Sequence, residues 1–152
     1  MSTPLQFDAR SPRNALPYLF ASQAQKEVTV NEALARIDAL LHPAVEGANT
    51  APPASPADGE CWIVGTGTPA EGAWEGHEGQ IACFTAGAWL FTTPALGTEV
   101  YYKAAGVVVR WNNGWQSLAL PPAPTGGTIV DQEARACITA LIEGLRGAGI
   151  GV

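Results

Sequence analysis

With 152 residues, 47% of them apolar and 14% charged, the chain is long enough for one ordinary domain to bury a core without metal or disulfide staples. The charged fraction lies well below the roughly 25% of an average soluble domain, and self-association is the simplest cover for so much weakly charged surface. A formal charge of −6, with eight Lys and Arg that do not cluster, disfavours a phosphate-tracking surface, so no nucleic-acid partner is expected.

Residues 1–20 carry Pro4, Pro12 and Pro17 among isolated apolar side chains, too broken for a helix. They predict an extended arm that Phe7, Leu16, Tyr18 and Leu19 anchor on its own or a neighbouring surface. Residues 21–43 predict the clearest helix. Thr29 and Glu32 have the spacing of a capping box, or else lie inside a longer helix begun near Ser22. Val30, Leu34, Ile37 and Leu41 repeat at 4-3-4 as a narrow apolar seam, which predicts burial against the sheet or a neighbouring copy, and Pro43 closes the element.

Residues 47–59 read as a Pro/Ala/Gly linker. Over 60–119 the texture is β: CWIV, QIACF, AWLFT, EVYYK, VVVRW and WQSL are short runs rich in branched and aromatic residues. They predict five or six antiparallel strands in a compact meander. TAGA and NNG fit hairpin connections, with Asn113-Gly114 supplying the positive φ of a type I′ turn. A faint repeat runs through the region: an apolar strand ending in Phe84 or Trp111, a turn, then a tryptophan. After a second linker at 120–127, residues 128–147 predict a C-terminal helix. Thr128 or Asp131 would cap it, Gly147 would end it, and Ala134, Ile138, Leu141 and Leu145 form its seam.

Cys61, Cys83 and Cys137 are far apart in apolar surroundings, which reads as buried hydrophobes in a reducing compartment rather than a disulfide framework. The N-terminus lacks the pattern of a signal peptide, and no apolar run approaches the roughly 18 residues that span a bilayer. A soluble protein made in the cytoplasm, with no membrane partner, is expected.

Catalytic chemistry needs convergent polar groups, and the supply is poor. His42 stands at a helix end, where a cation suits the dipole. His77, with Glu71, Glu75 and Glu78, is the lone His/carboxylate cluster, but no second histidine or cysteine sits at ligand spacing. No nucleophile elbow, zinc-protease motif, P-loop or dinucleotide fingerprint is present. The expectation is a non-enzyme without catalytic residues, metal or cofactor. Trp62 and Trp89, within apolar strands, read as core; Trp74, between glycines and acidic residues, reads as the most exposed. Trp74, Trp115, Asn112 and Asn113 are therefore candidate sugar contacts, with a tryptophan-stapled sheet as the alternative.

Two motif-dense stretches carry a resemblance. The first comprises Leu16-Pro17-Tyr18-Leu19, Gln23-Ala24-Gln25-Lys26-Glu27-Val28-Thr29, Asn31-Glu32-Ala33-Leu34 and Leu40. The second comprises Gly59-Glu60-Cys61-Trp62-Ile63-Val64, Gly72-Ala73-Trp74, Gly76-His77, Gly79-Gln80-Ile81-Ala82, Gly87-Ala88-Trp89 and residues 94–97. Spanning about residues 15–116, this pattern resembles a domain-of-unknown-function family whose members occur in prophage tail-fibre regions and gene transfer agents of alphaproteobacteria. The resemblance implies a virion protein, a head-spike or tail-fibre base or adaptor. Members often carry histidine where this chain has Val30, so no role for that histidine carries over.

The fold expected is α+β: an extended arm and helix, a small Trp-rich antiparallel meander or barrel, and a C-terminal helix. The function expected is that of a homo-oligomeric structural part, trimer or pentamer, of a phage-like particle assembled in the bacterial cytoplasm. It would link capsid or tail proteins to a spike or fibre protein for host attachment. The alternative is a carbohydrate-binding module contacting host capsule polysaccharide.

Overall fold

The structure is a computed structural model that describes residues 17, 19 and 24–152. In chain order its elements are α1 (Lys26–Leu40), β1 (Ala44–Val45), β2 (Ala48–Asn49), β3 (Cys61–Val64), a 3-10 turn (Gly72–Trp74), β4 (Ile81–Thr85), β5 (Ala88–Thr92), β6 (Glu99–Tyr102), β7 (Val107–Trp111), β8 (Trp115–Gln116) and α2 (Gln132–Gly147). The α+β organisation is as anticipated, a helix on either side of a β-rich middle. The arm assigned to residues 1–20 lies outside the described residues except for Pro17 and Leu19.

The strands do not form a purely antiparallel meander. They make two four-stranded mixed sheets, ordered β1-β6-β7-β8 and β2-β3-β4-β5, in which β1 runs parallel to β6 and β2 parallel to β3. Residues 43–49 bridge the sheets. On one side Tyr101 N donates to Pro43 O and Lys103 N to Val45 O; on the other Glu46 N donates to Cys61 O, Ile63 N to Gly47 O and Gly65 N to Asn49 O. Part of this bridge falls in the stretch whose composition reads as linker, because strands of two residues cannot display a period of two.

Apolar residues bury according to the pleat. Cys61 and Ile63 of β3 and Ile81 and Cys83 of β4 face Val45, Val100, Val107 and Val109 in the main core. The alternate residues Val64 and Ala82 lie in a second cluster with Ala70 and Trp74, flanked by Trp62, Trp89 and Phe91. The sheet containing β3 and β4 is thus covered on both faces, and its strands read as unbroken apolar runs. The other sheet is covered on one face: Val100 and Val109 are buried while Glu99, Tyr101, Val108 and Arg110 are exposed, the alternation of a half-buried strand.

Two hairpins explain the faint repeat. Phe84 lies opposite Trp89 across β4 and β5, and Trp111 opposite Trp115 across β7 and β8. Each pair meets edge to face, with ring centroids 5.1 Å and 5.4 Å apart. The turn chemistry differs from expectation. The tight two-residue turn is Ala86-Gly87, at φ 51° and 78°. In NNG only Asn113 takes positive φ, in a three-residue connection closed by Asn112 N donating to Gly114 O. Gly79 is required at its own position, since a Cβ there, at φ 79°, would stand 2.9 Å from the Trp111 ring.

α1 begins at Lys26, with Gln25 at its N-cap, so Thr29 and Glu32 lie inside the helix and form no capping box. Glu32 instead holds Arg36, one turn on, through Oε1 at 3.1 Å. Arg36 Nη1 donates to Phe91 O on β5 at 2.9 Å, and Ala39 and Leu40 rest on the main core. α2 starts as expected, with Asp131 Oδ1 accepting from Ala134 N at 2.9 Å. Its C-terminal turn is tied to the sheet by Val108 N donating to Gly149 O, and residues 118–120 and 152 exchange two further backbone bonds.

Candidate functional site

The structure reverses the roles of the tryptophans. Trp74, the ring expected at the surface, is 0% exposed, enclosed by Val64, Ala70, Ala82 and the edge of Trp89, whose centroid lies 5.1 Å away at 84°. The reason is local. Ala70 N donates to Glu78 Oε1 and Gln80 N to His77 O, which curls residues 70–80 over the outer face of β3 and β4 and turns the indole inward. Trp62 and Trp89, expected as core, are half-buried rims of the same cluster. Trp62 Nε1 donates to Glu60 Oε1 at 2.6 Å and Trp115 Nε1 to Gly79 O at 2.9 Å, whereas the buried Nε1 of Trp74 has no hydrogen-bond acceptor among the described residues.

A buried indole offers no face to a sugar ring. Of the candidate sugar contacts, Asn112 and Asn113 are exposed at the β7–β8 turn and Trp115 is half-buried against the main core, with its N–H already bonded. The tryptophans act as fasteners: Trp74 closes the outer cluster, and Trp89, Trp111 and Trp115 close hairpins.

The His/carboxylate cluster disperses in the same way. The His77 ring stacks on Phe91, centroids 3.6 Å apart and 4° from parallel, and Nδ1 lies 3.0 Å from Gln80 Oε1. Glu78 is occupied by the Ala70 amide, which holds its carboxyl below the usual range. Among the described residues no three His, Cys, Asp or Glu side chains converge as metal ligands. His42 lies past the end of α1, in the left-handed conformation at φ 58°. A cavity of about 250 Å³ opens between the sheets, lined by Ile63, Tyr102, Val107, Val109, Trp115 and Ser117. No acid–base pair stands among those six.

What the fold presents outward is apolar helix surface. Val30, Leu34, Ile37 and Leu41, expected to be buried against sheet or neighbour, are 40% to 66% exposed. The face that touches the sheet, with Arg36, Ala39 and Leu40, lies roughly a third of a turn around the helix from them. Ala39, Leu40 and the reach of Arg36 seat the helix, and the seam side chains are left over. On α2, Ile142 is buried while Ile138, Leu141 and Leu145 are exposed. Leu19 is exposed, and Phe7, Leu16 and Tyr18 lie outside the described residues. Among the described residues no helix is long and apolar enough to cross a membrane.

Two features escape sequence reading: the anchoring role of Arg36, and the placement of Cys61 opposite Cys83, which strand register alone reveals. A family model described as a protein of unknown function, DUF2793, matches residues 30–116. No curated protein matches the chain.

Proposed function

The chain belongs to the DUF2793 family of proteins of unknown function, and from that premise we propose that it is a homo-oligomeric structural part of a phage-like particle or gene transfer agent. It acts as a head-spike or tail-fibre base, joining capsid or tail proteins to a host-attachment element. The observation that carries this reading is the pair of outward apolar seams: Val30, Leu34, Ile37 and Leu41 on α1, and Ile138, Leu141 and Leu145 on α2. Both seams repeat at the three- and four-residue intervals that pack helix against helix, and both stand exposed. Closed symmetric assemblies bury such seams between copies, and virion appendages are assemblies of this kind.

Sedimentation of the purified protein tests the first half of the proposal: a trimer or pentamer is expected, and a monomer at high concentration refutes it. Immunogold electron microscopy of purified particles, against a deletion strain, tests the second. Label at one discrete site per appendage is expected, and particles that lack the protein end the virion reading.

A further inference from the structure

We infer that Cys61 and Cys83 are a redox pair, two facing thiols of β3 and β4 that close into an intramolecular cross-strand disulfide when the protein meets a small disulfide oxidant. Cys61 is the direct register partner of Cys83 in the antiparallel β3–β4 ladder. Val64 N donates to Gln80 O at 2.9 Å and Phe84 N to Glu60 O at 2.8 Å. The bonded pairs of this ladder therefore involve the even-numbered residues, and Cys61–Cys83 is a non-hydrogen-bonded pair. At such pairs the Cα atoms approach to about 4.5 Å with side chains on the same face, inside the window of roughly 4.4–6.8 Å that a disulfide spans. Strand movement is not required.

Both thiols point into the main core, 7% and 6% exposed, among Val45, Ile63 and Ile81. The thiols are free, and Cys61 Sγ donates to Gly59 O at 3.6 Å. The facing Cys83 side chain, with burial, pushes the Cys61 thiol up, while Cys61 lowers Cys83. At the end of α1, Ala39 and Leu40 pack on the same core.

The chemistry is thiol–disulfide exchange. One cysteine of the pair, deprotonated, attacks one sulfur of oxidised glutathione, and a glutathione thiolate leaves. The other, deprotonated in turn, attacks the protein sulfur of the mixed disulfide and expels the second glutathione thiolate. The two cysteines lose two electrons, two glutathione thiols are formed, and the two protons pass to the leaving thiolates. In a reducing cytoplasm the pair stays open; outside it, the bond forms and fastens β3 to β4 around the loop that carries Trp74.

The test uses the full chain with Cys137→Ser, because Cys137 is exposed and would link molecules. The reduced protein is incubated with oxidised glutathione, both folded and while refolding from urea so that burial cannot hide the thiols. It is then acid-quenched, alkylated in denaturant and digested for mass spectrometry. The expected result is a peptide pair linked through residues 61 and 83, lost on adding dithiothreitol, together with a melting midpoint raised by about 5 °C or more. With Cys61→Ser added, Cys83 should carry glutathione instead. Full alkylation of both cysteines after oxidative refolding, or stable glutathione adducts on both, overturns the inference.

Discussion

Replacing Trp74 by alanine is the sharpest probe of the outer cluster. The side chain is fully buried against Val64, Ala70 and Ala82. A tryptophan encloses about 150–250 Å², which at about 25 cal/mol per Å² corresponds to about 4–6 kcal/mol. Its buried N–H, without an acceptor among the described residues, offsets about 1–3 kcal/mol of that. The net loss expected for Trp74→Ala is therefore about 3 kcal/mol, at the low end of the usual range for such truncations. Trp74→Phe keeps most of the area and the edge contact to Trp89 while discarding the N–H, so it should cost less than about 1.5 kcal/mol. Urea unfolding followed by far-ultraviolet circular dichroism measures both. A loss below about 1 kcal/mol for the alanine variant, or equal losses for the two, would refute the assignment of Trp74 as the cluster's anchor. One corollary concerns host binding: reduced adsorption by Trp74→Ala would report a weakened fold and not a lost sugar contact.

Leu34→Glu on the exposed face of α1 should leave the unfolding free energy within about 0.5 kcal/mol while weakening self-association at least about tenfold, read by sedimentation velocity. Ala86→Asn should stabilise the β4–β5 hairpin by about 0.5–1 kcal/mol in thermal melts, since Ala86 sits at φ 51° in a type I′ turn that favours Asn-Gly. Arg36→Ala should free α1 from the Phe91 carbonyl and speed amide exchange along the helix, with β4 exchange unchanged. Glu78 has a carboxyl held low by the Ala70 amide, so its contribution is present above the ordinary carboxylate pKa and is lost as pH falls through the depressed folded value. Exchange protection of the Ala70 amide should fall over that acidic window, and Glu78→Gln should remove the dependence.

Legibility followed the length and pattern of each element. β3, β5 and β7 were readable residue for residue, because four or five consecutive branched and aromatic side chains between turns leave little alternative. α2 was readable to its end at Gly147, with Asp131 one of two candidate caps, because cap and stop are both local signals. The bridge at 43–49 was not, since its stability derives from partners at 61–65 and 101–103 and not from its own composition. Trp74 was misplaced for a related reason: flanking glycines and glutamates describe the loop, while the direction of the ring is set by the Ala70–Glu78 bond. The apolar seam of α1 was visible, but which flank met the sheet depended on one arginine reaching an edge carbonyl.

The bridging strand also orders events in time. Residues 43–49 leave the ribosome before either set of neighbours exists, β3 following soon and β6 only after both hairpin strands of the first sheet. Closing the long span between Val45 and Lys103 carries an entropic cost that local hairpins do not, so maturation should end with this segment sliding in as a keystone. Until then the margin of β6 stands open on every nascent copy, and crowding of those copies favours exchange of the segment between neighbours.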